Sequence, residues 1–432
     1  MTPAARISAA IEVLTDIEAR RRPAPDALKD WGLSHRFAGS GDRAAIAGLV
    51  YDALRRRASS CHVMGEATPR ANMLGMLHLE RGLDVEAIAA LFSGARFAPQ
   101  PMSDAERERV GSASLSEAPP HIAGDYPQWL DGSFAAVFGE ARAEEAAALA
   151  SRAPLDLRVN ELKAERDKIA AELAEYEPEL TSWAPFGLRI RVAPDAKSPA
   201  IQSEPAFIKG AIEIQDEGSQ LAALFSGATQ GEQVVDLCAG GGGKTLALAA
   251  MMQNKGQIFA TDTDKRRLAP IHARLERAGI RNVQVRTPRG SAEILDDLNG
   301  TIDLVLIDAP CTGTGSWRRN PDAKWRLRPG ALELRRKDEV TVLDRAVPLL
   351  KPGGRIAYIT CSVLDEENGA QIRAFLARHA GFSVEKPDQV AAALGERGYL
   401  FAKAALISPE GLLMTPRRTG TDGFFVSVLR HN

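Results

Sequence analysis

The sequence predicts an α/β fold: an open, mostly parallel sheet with helices on both faces, closed by an antiparallel hairpin. A small α+β domain and an all-helical N-terminal region precede it. Three observations carry this expectation. From about residue 213, strand-like and helix-like patterns alternate, as in parallel strands joined by helical crossovers. Near the start of that alternation an apolar run, Val234–Leu237, enters four consecutive glycines, Gly240–Gly243, followed by the helical run Leu246–Met252. Glycine in a strand or helix interior costs about 0.5–1 kcal/mol relative to Ala, so four together mark a turn where a ligand can lie against bare backbone. At the far end, Leu412–Met414 and Phe424–Leu429 have turn residues between them, the signature of a hairpin.

Taken in order, residues 1–98 read as helices, with Ile7, Ala10, Ile11, Leu14 and Ile17 at helical spacing, then Ile46, Leu49, Val50 and Leu54. Further helical segments cover Ala71–Leu79 and Val85–Phe92. Arg20–Arg22 and Arg55–Arg57 close two of these helices, either as cations at helix C-termini or as phosphate contacts. Ala98–Pro120 is rich in Pro, Ser and Gly and reads as a linker. A helical piece spans 126–150. Leu155–Asn160 alternates as a strand, Ala164–Tyr176 is an amphipathic helix, and Leu188–Val192 alternates again. The alternating region then reads as strand 234–238, helix 244–253, strand 257–261, helix 264–278, and strands 283–286 and 302–307. Helix 331–350, strand 355–360 and helix 366–379 complete it. The expected domains are 1–125, 126–212 and 213–432.

At 432 residues the chain can bury several cores, and its 45% hydrophobic and 25% charged residues are ordinary for a globular protein. No apolar run approaches the roughly 18–20 residues of a membrane span. The four cysteines, Cys61, Cys238, Cys311 and Cys361, are far apart, without C-x-x-C or metal-ligand spacing. This argues against a disulfide framework or zinc site and points to a reduced, cytoplasmic protein without a metal. A net charge of −2 neither demands nor excludes a nucleic-acid partner. The seven His are scattered and read as structural or surface residues.

The glycine loop fits neither familiar phosphate loop. A P-loop needs Gly where Cys238 stands, and the dinucleotide pattern started at Gly240 needs Gly where Thr245 stands. The next strand ends in Asp262, whose carboxylate can accept both hydroxyls of a ribose. A glycine loop of this kind followed by such an acid points to a methyltransferase nucleoside site, on a class I methyltransferase (Rossmann-like) sheet. Ligands on such sheets bind beyond the carboxyl ends of the strands. Two neighbouring strand ends there carry cysteines, in Asp308-Ala309-Pro310-Cys311 and Thr360-Cys361-Ser362. Carbon 5 of a pyrimidine is a poor nucleophile until a thiolate adds at C6 and makes the ring an enamine. A base must then take the C5 proton as the thiolate is expelled. Asp308 suits a hydrogen bond to the N3/N4 edge of the base, where protonation assists addition. Either cysteine alone reads as core filling, but the pair beside a glycine loop reads as chemistry. Cys238 reads as a packing residue whose backbone lines the loop.

After Cys311 the chain turns basic. Ser316–Lys337 holds eight basic residues against two acidic ones, with Trp317 and Trp325 interleaved. Arg318, Arg319 and Lys324 are expected to follow a phosphate backbone while the tryptophans stack on unpaired bases. Arg335–Lys337 reads equally well as a solvated helix face. A macromolecular substrate with its target base turned out into the pocket fits better than a small molecule.

These motifs resemble the Nop2/Sun-type RNA (cytosine-5) methyltransferases, closest to the bacterial 16S ribosomal RNA methyltransferase B group. The resemblance covers nearly the whole chain. Gln215–Leu221, Asp308–Cys311, Thr360–Ser362 with Glu366-Glu367-Asn368, and Thr421–Phe425 are similar to family motifs. Leu155–Asn160 resembles the start of the family's RNA-recognition-like domain, and Leu49–Arg55 its NusB-like domain. The resemblance implies S-adenosylmethionine held by Cys238, Ala239, Gly240, Gly241, Gly242, Gly243, Lys244, Asp262 and Asp308. It implies Cys361 as nucleophile and Cys311 as the residue assisting product release, whereas the residues alone leave that choice open. It implies an RNA substrate, ribosomal before transfer RNA; the protein is expected to be a monomer. The chain departs from the family twice. Gly240-Gly241 replace the usual Ala-Pro, which predicts a more flexible loop that binds the donor less tightly. No acid follows the third strand (Val285–Gly290), so the adenine contact is expected to pass to a backbone amide or to Ser291. The rival readings are a non-catalytic ribosome-assembly factor, which the intact cysteine pair opposes, and a small-molecule or protein methyltransferase, which the basic segment opposes.

Overall fold

The computed structural model describes residues 1–193, 199–288 and 294–432. They form two compact units. The first holds Met1–Arg152 and, far along the chain, Trp317–Leu327. The second holds Ala153–Val192, Pro199–Ser316 and Arg328–Asn432. Among the described residues, no helix is long and apolar enough to cross a membrane.

The first unit is helical. Its longest helix, Pro3–Arg20, is capped by the Thr2 side chain on Ala5 N–H and buries Ile7, Ala10, Val13, Leu14 and Ile17. Helices Ser40–Arg55 and Pro69–Leu79 join the same core through Ile46, Val50, Leu74 and Leu77. The segment expected to be a linker contains a helix, Asp104–Gly111. Its start is fixed by a capping box in which Ser103 and Glu106 satisfy each other's backbone N–H, and Met102 and Val110 anchor it in the core. The two arginine clusters do end helices, but most of their members are paired within the protein. Arg20 meets Asp16 at 2.9 Å, Arg57 meets Glu18 at 2.9 Å, and Arg56 meets Glu80 at 2.7 Å. Buried Arg55 donates to the carbonyls of Ala150, Ser151 and Arg318.

The second unit carries two sheets. The smaller is antiparallel, built from β1 (Leu155–Val159), β2 (Glu179–Leu180), β3 (Gly187–Ile190) and β4 (Ile212–Ile214) in the order β2-β3-β1-β4. Leu157, Val159, Leu188, Ile190 and Ile212 point to one face, against Ile169 of helix Arg166–Glu172. The larger sheet contains β5 (Gln233–Asp236), β6 (Gln257–Ala260), β7 (Val283–Val285), β8 (Ile302–Asp308) and β9 (Leu350–Thr360). It continues with β10 (Phe382–Val384), β11 (Leu406–Ser408), β12 (Gly411–Met414) and β13 (Phe424–His431). The order is β11-β12-β13-β9-β8-β5-β6-β7, with β10 on β13. β9, β8, β5, β6 and β7 run parallel, and β12 and β13 close the sheet antiparallel, with Leu413 opposite Phe425 and Phe425 opposite Thr360. The chain winds outward from β5 through β6 to β7 and then returns to β5's other side as β8. The crevice beyond the ends of β5 and β8 is therefore the switch point where such sheets bind ligands. The expected helix 264–278 is two helices, Lys265–Leu268 and Ile271–Ala278, because Pro270 between them has no N–H to continue the ladder.

Gln215–Leu221, matched by resemblance, joins the two sheets of this unit. Arg189 of β3 grips Asp156 of β1 at 2.7 and 2.8 Å and reaches Glu217 at 3.2 Å. Glu217 in turn accepts the backbone N–H groups of Trp183 and Ala184. A buried triad is costly to desolvate, and this one is satisfied by several hydrogen bonds, the condition under which such a group is retained.

Candidate active site

The glycine loop leaves β5 and enters helix Gly243–Met251. Gly240 and Gly242 stand at φ +50° and +83°, in the region that glycine alone enters freely, and a Cβ on Gly242 would strike Ile271 at 2.5 Å. Gly240 N–H donates to Asp262 Oδ2 at 2.9 Å, while Asp262 Oδ1 accepts the N–H of Asp264 at 2.9 Å. Each oxygen retains a lone pair for a further donor. The loop is also tied from its other side. Arg274 Nη1 donates to the Gly241 carbonyl at 2.6 Å, Arg158 Nη1 reaches the Gly243 carbonyl at 3.3 Å, and Glu213 holds Arg274 in place at 3.0 Å. The double glycine is thus braced by an arginine, and the looseness expected from losing proline is countered. Arg274→Ala is expected to weaken S-adenosylmethionine binding about tenfold by calorimetry, the loss of a hydrogen bond to a charged group.

Lys244 is buried and its Nζ meets Asp308 Oδ2 at 2.7 Å, 5.1 Å above the Phe424 ring. The pair joins the start of the loop helix to the end of β8. Asp236, buried at the end of β5, takes a hydrogen bond from Thr245 Oγ1 at 2.7 Å, and burial raises its carboxyl to about 7. Burial also raises the Cys238 thiol, in keeping with a packing role.

β8 and β9 are hydrogen-bonded neighbours, so the residues following them are brought together. Cys311 Sγ and Cys361 Sγ stand 3.4 Å apart. The hydrogen bond to Cys361, together with burial, raises the Cys311 thiol well above its ordinary value. The turn carrying Cys311 is held by Glu367, which accepts Thr312 N–H at 2.7 Å and Thr312 Oγ1–H at 2.5 Å. Asn368 holds the other turn, with Oδ1 accepting from Thr360 at 2.5 Å and Nδ2 donating to the Ser362 carbonyl at 2.9 Å. Sequence reasoning quoted Glu366-Glu367-Asn368 without a role; two of these residues shape the cysteine turns.

The segment expected to bind RNA needs correction. Trp317 is 1% exposed and stacks on Phe134 with centroids 5.8 Å apart. Lys324 is 0% exposed, its Nζ donating to the carbonyls of Arg55 at 2.9 Å and Asp125 at 2.6 Å, and burial lowers its ammonium to about 7. Arg318 is buried too. None of the three presents its side chain to a nucleic acid. Trp325 is half-buried, donating to the Leu54 carbonyl at 2.6 Å, and Arg319 is half-buried. Arg335 and Arg336 pair with Asp338 and Glu333 on their own helix, as the solvated-face reading has it. The substitute adenine contact, Ser291 with Arg289 and Gly290, lies outside the described residues.

A positive-φ glycine loop, an acid one strand away and bare backbone at a helix start fit the nucleoside and charged tail of S-adenosylmethionine. Fold and site together define an S-adenosylmethionine-dependent methyltransferase. The family model described as 16S rRNA methyltransferase RsmB/F matches residues 224–430, and that of the RsmF/B-like ferredoxin-like domain matches 126–196. The probable ribosomal RNA small subunit methyltransferase B of Synechocystis sp. is 29% identical, over 97% of each chain. The ribosomal RNA small subunit methyltransferase B of Sodalis glossinidius is 32% identical over 77% of this chain and 69% of its own. The crystal structure of a methyltransferase homolog protein from Pyrococcus horikoshii is 26% identical with a TM-score of 0.58, covering 72% of this chain and 98% of that one. The chain belongs to the RsmB/F methyltransferase family.

Proposed function

We propose that this protein methylates carbon 5 of a cytosine in 16S ribosomal RNA through a covalent bond between Cys361 and C6 of the base. The observation that carries the reading is the pair of sulfurs 3.4 Å apart at neighbouring strand ends, beside the donor loop. When bound, S-adenosylmethionine supplies an electrophilic methyl group. Cys361, as thiolate, adds to C6 and makes C5 nucleophilic. Asp308, at the end of β8, hydrogen-bonds the N3/N4 edge and favours that addition. After transfer, the C5 proton leaves to a base and the C6–S bond breaks, its electrons returning to Cys361. The Cys311 proton is offered to the departing sulfur, which assists release. The names of the curated relatives support a ribosomal substrate.

Bisulfite sequencing of ribosomal and transfer RNA from cells with and without the gene tests this. One 16S cytosine is expected to lose protection in the deletion strain. Protection lost only in a transfer RNA would move the substrate, and no change in any RNA would count against methylation of cytosine.

A further inference from the structure

We propose that Glu339 is a positioning residue for the cysteine chemistry: its buried carboxyl stays protonated and shares that proton with Glu367, which fixes the turn carrying Cys311. The proposal rests on the cysteine reading above. Glu339 lies on helix Pro329–Ala346, is 0% exposed, and both its oxygens lack a conventional hydrogen-bond partner. The helix packs against the turn Asp365–Glu367. Glu367 is equally buried but supplied with donors, namely the N–H and hydroxyl of Thr312. Two neighbouring buried carboxyls cannot both be charged, and the donors select Glu367 as the carboxylate. Glu339, without donors, is the acid.

The surroundings reinforce this division. Burial raises both carboxyls, that of Glu339 to about 10, with the Glu367 charge the next cause. On its own helix Glu339 faces Asp338, which opposes its ionisation, and Arg336, which favours it but is paired with Glu333 at 2.8 Å. From β9 the Tyr358 hydroxyl stands nearby and donates to the Glu367 carbonyl at 2.7 Å. Cys311 and Glu366 face Glu367 in turn. A proton between Glu339 and Glu367 therefore stabilises the carboxylate that holds Thr312 by two bonds, and Cys311 is the residue before Thr312.

The test compares Glu339→Gln, which keeps a neutral donor, with Glu339→Leu, which does not. With the RNA substrate and saturating methyl donor, Glu339→Gln is expected to keep kcat within about threefold, while Glu339→Leu lowers it about thirtyfold or more. KM for S-adenosylmethionine stays unchanged in both, and a covalent RNA–protein complex accumulates in Glu339→Leu because release depends on Cys311. The second measurement needs no RNA. A carboxyl whose proton affinity is raised by folding takes up a proton above about pH 4.5, so wild-type stability falls as pH rises toward about 10. Glutamine escapes that loss. The Tm of Glu339→Gln is expected to exceed wild type at about pH 8, with the gap closing toward about pH 4.5. Parallel Tm profiles would overturn the protonated state, even if Glu339→Leu fails to fold. A Glu339→Gln variant as slow as Glu339→Leu, or a Glu339→Leu variant as fast as wild type, would overturn the positioning role. Absence of a cytosine adduct in every variant, wild type included, with diverging Tm profiles, would refute the cysteine reading alone.

Discussion

Cys361→Ala is expected to abolish methyl transfer, by at least about 10³-fold, together with any covalent complex with RNA. Without the sulfur, C5 of the ring stays a poor nucleophile, and placing the methyl donor beside it gains little. Donor binding should be unaffected, since the residues bracing the loop (Asp262, Arg274, Arg158) are elsewhere. Denaturing gels of enzyme with labelled RNA read the complex, and calorimetry reads the donor. Loss of donor affinity with activity would mean that the substitution had damaged the fold.

Cys311→Ala is expected to give the opposite trace. The first methyl transfer proceeds, turnover falls about 10²-fold or more, and a methylated RNA–protein complex accumulates. The reason is the 3.4 Å sulfur contact, which puts the raised Cys311 thiol within reach of the departing Cys361 sulfur. Should Cys311→Ala lose the complex while Cys361→Ala keeps it, the two roles are exchanged.

The parallel sheet and its closing hairpin were readable in the sequence because each rests on local pattern: apolar runs of strand length, glycines where the backbone turns, and helical periodicity between. The placing of the glycine loop and of both cysteines followed, since strand ends in such a sheet converge on one edge. What sequence could not supply is the partner of a buried polar group. Arg274 reads as one more basic residue on an amphipathic helix until its guanidinium is seen on the Gly241 carbonyl. Glu339 sits in a charged run, Arg335–Glu339, and only packing shows that it faces inward. Lys324 and Trp317 misled for the same reason. A lysine and a tryptophan in a loop suggest RNA, yet their partners are carbonyls and a ring from more than 180 residues earlier. The helix Asp104–Gly111 had its capping pair, Ser103 and Glu106, in plain view, and the surrounding prolines and serines outweighed it.

The membership of Trp317–Leu327 in the N-terminal unit also bears on how the chain is made. The ribosome delivers Met1–Arg152 first, and Trp317 follows 165 residues after Arg152. At synthesis rates of roughly 5–20 residues/s, that is a wait of about 8–33 s. Throughout it, the face of Phe134 that Trp317 covers and the carbonyls that Lys324 fills have no occupant. The first domain to emerge is thus finished only after most of the second has been made, and a nascent chain halted before Trp317 carries an open seam that a chaperone or protease can find.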